Sequence, residues 1–218
     1  MRSLSLSALT CATLLLSGCA TLEEASTSLS CMLARATGSA NSSCGNNSQD
    51  GTLQSAPGDR FDKLQAVLDE ETQRAKQAQG SAIAAMQKLP ANQRSVAGPV
   101  RMLNVSITDS QNGRARNMQT LDSITVDMPL AAKGRPEYTQ AMDQLKALAN
   151  QLADNRGTAS INVDQSEADI NARRVNTSTG STQSPRGNPV FVRKNADRNL
   201  PAGVERYTIQ AGEIRGKL

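Results

Sequence analysis

Between residues 59 and 164 the apolar side chains fall into five periodic runs, and the order of those periods limits what the chain can fold into. Over 59–89, Phe61, Leu64, Leu68, Glu71, Ala75, Ala78, Ala82, Ala85 and Leu89 recur at steps of three and four, the stripe of an amphipathic helix. Asp59 is the expected N-cap, Asp62 adds a carboxylate to the first turn, and Pro90 stops the pattern. Leu103, Val105 and Ile107 then alternate with polar residues, as do Ile124, Val126 and Met128, the period of half-buried strands. Asn112-Gly113 between them is a turn signal and predicts an antiparallel pair joined by roughly eight to twelve residues. Pro136 opens a second helix over 137–155, with Tyr138, Met142, Leu145, Leu148 and Leu152 on one face and Gly157 at its end. Residues 158–164, carrying Ile161 and Val163, read as a third strand, so strand, helix and strand form a crossover. Val190–Arg193 and Val204–Ala211 are the last strand candidates.

The fold class expected is α+β: a small antiparallel or mixed sheet covered by an amphipathic helix, preceded by a long N-terminal helix. The heptad-like seam of that first helix has two uses. It lies on the chain's own sheet, or it forms a coiled coil with a partner or a second copy.

Composition narrows the chemistry. The 218 residues include no histidine and no tryptophan, and only Phe61, Tyr138, Phe191 and Tyr207 are aromatic. Without histidine, His-dependent triads and His-containing zinc sites are excluded. Scarce aromatics speak against base-stacking modules and aromatic sugar platforms, and no nucleic-acid partner is expected. Phe61 and Tyr138 each open a helix seam while Phe191 and Tyr207 fall in strands, so all four are assigned to the core. No Ser-x-x-Lys arrangement, Gly-x-Ser-x-Gly elbow, Walker loop or dinucleotide fingerprint occurs. Asp164, Glu167 and Asp169 lack the alternation and glycine of a calcium loop, and as a carboxylate pair they read as a solvated loop. The expectation is a protein without enzymatic activity, metal or cofactor.

The N-terminus begins MRSLSLSALTCATLLLSGC, with Arg2, then an uncharged stretch most apolar at Thr13–Leu16, then small residues and a cysteine. That is the build of a secretory signal, too short to remain as a spanning helix. Leu16-Ser17-Gly18-Cys19 resembles the lipobox of bacterial lipoproteins cut by signal peptidase II. The resemblance implies that residues 1–18 are removed and that Cys19 carries the lipid. Ala20 in place of aspartate implies retention at the outer membrane, facing the periplasm. Several acyl chains at about 0.8 kcal/mol per buried methylene anchor a protein durably. Cys31 and Cys44 then remain in the mature chain, and an oxidising compartment predicts a disulfide between them.

Residues 19–58 are crowded with Ser, Thr, Asn, Gly and Ala and hold one base, Arg35, against Glu23, Glu24 and Asp50. Such a segment buries too little apolar surface to fold and reads as a tether. The remainder divides into the helix 59–90, an α+β core over 99–170 and basic strands and loops over 171–218. The last segment holds nine bases against three acids, and residues 171–189 read as a flexible insertion. Arg173, Arg174, Arg186, Arg193 and Lys194 are candidates for binding an anion or a partner. From Ile124 to Arg174 the strand, the helix with LKALANQLADNRG, the strand ASINVD and then NARRV resemble an OmpA-like peptidoglycan-anchoring domain. By that resemblance Asp164 and Arg173 or Arg174 would contact the wall. The family's Gly-His-Thr before the aspartate and its Leu-Ser-x-x-Arg-Ala helix start are missing here. The functional expectation is a lipid-anchored assembly, scaffold or accessory subunit of an envelope machine for secretion, conjugation, pilus assembly or polysaccharide export. The alternative is a peptidoglycan-binding or anionic-glycan-binding module.

Overall fold

The computed structural model describes residues 57–109 and 112–214. Cys19, Cys31, Cys44 and nearly all of the expected signal and tether lie outside the described residues. Helix α1 runs Pro57–Met86, two residues ahead of the expected cap. Proline is favourable in a first turn, where its missing N–H would have no partner, and Asp59 therefore falls inside the turn. The helix also stops short of Leu89, whose N–H closes a turn onto Met86 at 3.1 Å.

The α1 seam is buried within its own chain: all its members except the half-buried Ala78 are closed off from solvent. They lie against the second helix and the second strand. Of the two uses the sequence left open, the described residues show the intramolecular one. Glu71 interrupts the apolar seam because it meets Arg156, itself buried, across the helix interface. The same guanidinium donates to Thr120 Oγ1 at 2.6 Å, to the Leu121 carbonyl at 3.0 Å and to the Gly212 carbonyl at 3.2 Å.

Strands β1 (Val96–Thr108) and β2 (Ala115–Pro129) are antiparallel, as expected. Their connection is shorter than the pattern suggested, because both strands continue through polar residues to Asp109 and Arg114, whose backbones bond at 2.8 Å. Gly113 supplies the turn at φ 69°. Leu103 departs from its expected face and is 50% exposed, while Met102 packs on the core. The register slips between Arg101 and Met102, so the alternation changes partners there. A second slip falls at Gly98, where an added Cβ would sit 2.8 Å from Thr125 Cβ.

Helix α2 spans Pro136–Arg156 and ends on Gly157 in the left-handed conformation. It leads into β3 (Ala159–Ser166), followed by the five-residue α3 (Glu167–Asn171). Then come β4 (Gly180–Gln183), β5 (Pro189–Asp197) and β6 (Val204–Ala211). The sheet order is β1-β2-β6-β3-β5-β4. Since β2 and β3 both run antiparallel to β6, they are parallel to one another, and α2 is the expected crossover with β6 inserted between its strands. The stretch read as a flexible insertion is corrected in part, since it contains β4 on the edge of β5. Gly-Ser-Thr-Gln has no apolar residue to alternate, so backbone pairing alone reveals the strand.

The architecture is thus α+β, a mixed six-stranded sheet with α1 and α2 packed on one face. Ile124, Val126, Ile161, Val163, Val190 and Ile209 form the sheet side of the core, and Leu145, Leu148 and Leu152 the helix side. Phe61, Leu64 and Leu68 build a smaller cluster over Ile107 and Met118. Tyr138 and Tyr207 are core residues as expected; Phe191 is not, being 37% exposed.

Candidate functional site

The sheet positions between the core residues point away from the helices, and the registers line them up in three rows across β2, β6, β3 and β5. Ser123, Gln210, Ser160 and Phe191 make the first; Thr125, Thr208, Asn162 and Arg193 the second; Asp127, Arg206, Asp164 and Asn195 the third. Four strands at 4.8 Å spacing make a face about 14 Å across. Eleven of its twelve side chains are polar or charged, and they bond laterally. Thr125 and Thr208 hydroxyls lie 3.2 Å apart, Asn162 donates to Gln210 Oε1 at 3.2 Å, and Asn195 donates to Asp164 at 3.1 Å. Arg206 grips Asp127 with two bonds of 2.8 and 2.9 Å. The Arg193 guanidinium carbon lies 5.9 Å from the Phe191 ring centroid, cation–π distance. Ser123, Thr125 and Ser160 are buried on this face, Phe191, Arg193 and Asn195 are exposed, and the other six side chains are half-buried.

The basic candidates do not form one patch. Arg193 lies on the open face, whereas Lys194, the next residue along β5, donates to the Asn176 carbonyl at 2.6 Å. Arg186 sits in the β4–β5 turn, at the opposite end of β3 and β5 from Arg173 and Arg174. The eight residues of β3 separate those ends by roughly 25 Å. Arg174 pairs with Asp169 at 3.3 Å, and Arg173 takes φ 53° after the short α3. Asp164 is on the open face, and no bond joins it to Arg173 among the described residues. Where the OmpA-like pattern places a helix start, the chain has only the five residues of α3.

Beneath the third row, at the start of β6, Glu205 is the hub of a buried network. Gln165 donates to it at 2.7 Å, Tyr207 at 2.8 Å and Lys133 at 2.8 Å. Burial opposes its ionisation, but these donors outweigh burial and hold the carboxyl below the usual range. Because the Tyr207 proton goes to Glu205, Tyr138 must donate across the 2.9 Å contact between the two hydroxyls. Burial foremost raises both phenols, Tyr138 to about 12. Asp169 is likewise buried. Its desolvation is outweighed by Ser166, the Gly203 N–H and Arg174, so its carboxyl is held low. These groups tie strand ends and loops together.

A cleft of about 370 Å³ opens elsewhere, between α1, α2 and the β4–β5 turn. Arg74 and Arg186 line it together with Asn150, Gln151, Asp154 and Asn155. Sequence reading singled out only Arg186 of these, since the others are scattered on outer helix surfaces with no shared motif. The open-face residues of β2, β6 and β3 were more legible, as each is the polar partner of an apolar core position.

No known protein family, curated protein or solved structure matches the chain. Among the described residues no cluster of metal-ligating side chains occurs, and no helix is long and apolar enough to cross a membrane.

Proposed function

We propose that the protein is an outer-membrane lipoprotein acting as a non-enzymatic assembly or accessory subunit of a cell-envelope machine, anchored through Cys19. The observation that carries the contact role is the open face of the sheet. Its accessible members, the half-buried Gln210, Thr208, Asn162 and Asp164 and the exposed Asn195, stand in register there, with an ion pair and an arginine–aromatic pair at the margins. Such a surface suits a polar partner interface, in which hydrogen bonds give specificity. The Leu16-Ser17-Gly18-Cys19 motif supplies the anchor, and the polar segment from Ala20 to Ala56 gives the folded unit reach from the bilayer. Replacing Cys19 by Ser tests the anchor: membrane fractions should lose the protein, and full retention of unprocessed chain would overturn it.

Peptidoglycan binding is the second reading, favoured by Asp164 standing on the open face. Under it, purified sacculi retain the protein and Asp164→Ala abolishes the retention. Equal retention of both forms, or none, removes this reading.

A further inference from the structure

We infer that the cleft between α1, α2 and the β4–β5 turn is a second binding site, for a short peptide segment bearing carboxylates. The inference stands apart from both the lipid anchor and the open sheet face. The cleft is built rather than incidental. Ser184 and Asn188, on either side of the turn, both donate to the Asp154 carboxylate on α2. The turn itself closes through Gly187 N–H to the Ser184 carbonyl at 2.9 Å, with Pro185 at its start and Gly187 at φ 84°. Proline and a left-handed glycine fix this backbone, so Arg186 is presented from a rigid support. Arg74 reaches the same cleft from α1. Its ion pair with Glu70 is exposed and spans one helical turn, which makes it weak and exchangeable. Arg186 has no ion pair among the described residues, and Asp154 is already bound by the turn.

The volume lies within the range of small-ligand sites. Its lining selects the chemistry. Two guanidiniums match carboxylates bidentately. Asn150, Gln151 and Asn155 each offer a donor and an acceptor, the complement of peptide bonds. No aromatic ring lines the cleft, which disfavours a sugar platform.

The test is fluorescence anisotropy of a labelled glutamate–alanine hexapeptide titrated with the full chain carrying Cys19→Ser. Saturable binding is expected. Arg186→Gln should weaken it about tenfold, the loss of one charge-assisted hydrogen bond. Arg193→Gln, which removes the same charge from the open face, should leave affinity within about twofold. Thermal melts of both variants should match the parent, since both side chains are exposed. Three results would overturn the proposal: no saturable binding, equal weakening by Arg193→Gln, or tighter Arg186-dependent binding of an oligogalacturonate than of the peptide.

Discussion

On β3, Ile161 and Val163 are buried beneath the helices, whereas Asn162 and Asp164, one step away along the same strand, align with the polar side chains of β6 and β5. The same division runs through β2, where Ile124 and Val126 alternate with Ser123, Thr125 and Asp127, and through β6, where Tyr207 and Ile209 alternate with Arg206, Thr208 and Gln210. One face carries the apolar burial that stabilises the fold. The other is polar and satisfies its own hydrogen bonds laterally: Ser123, Thr125 and Ser160 are buried in it, while Arg193 and Asn195 are exposed and the remaining polar side chains half-buried.

Breaking the covered side should have the largest effect. Glu71→Ala strands the buried Arg156 guanidinium and should destabilise by about 3–5 kcal/mol, read as a lower urea midpoint. Replacing both partners by apolar residues, Glu71→Leu with Arg156→Met, should restore much of the loss. Next, Leu152→Ala removes a fully buried side chain between helix and sheet and should cost about 2–5 kcal/mol.

Tyr207→Phe takes a donor from Glu205 and an acceptor from Tyr138, for an expected loss of about 1–3 kcal/mol. The same network predicts the pH profile. Folding favours the neutral phenols, so that contribution is complete below the ordinary tyrosine value of 10.0 and disappears as pH rises toward about 12. Glu205 has the opposite sign: its contribution is present above the ordinary carboxylate range and fades as pH falls through its lowered value. Melting temperature should therefore decline at both extremes, and Tyr207→Phe should flatten the alkaline limb. A profile unchanged by that substitution would count against the network. The smallest effect belongs to the open face: Thr208→Ala and Asn162→Ala each remove a half-buried side chain with one lateral hydrogen bond and should shift stability by no more than about 1 kcal/mol.

Much of the covered face was legible in the sequence. The α1 seam, the Pro136 start and Gly157 end of α2, and the apolar alternation of β3 predicted their elements within a few residues, whereas the alternation at Ile124–Met128 marked only the last third of β2. Legibility failed where backbone pairing or register decides the outcome. β4 has no apolar residue, and the slip at Arg101 and Met102 moves Leu103 out to solvent. Phe191 departs from its expected core place because the strand pattern does not say which phase faces the helices; Val190 and Val192 take the covered side. The cleft was least visible, because Arg74, Asn150 and Arg186 come from three separate segments and meet only through tertiary packing.

Photocrosslinking in intact cells decides whether the sheet face meets a partner, with the reactive residue at Thr208 or Asn162 on that face and, for comparison, at the exposed Lys88 just beyond the end of α1. A discrete crosslinked envelope partner is expected from the two sheet positions and none from Lys88. No adduct from the sheet, or the same adducts from all three positions, would contradict the contact role of the face.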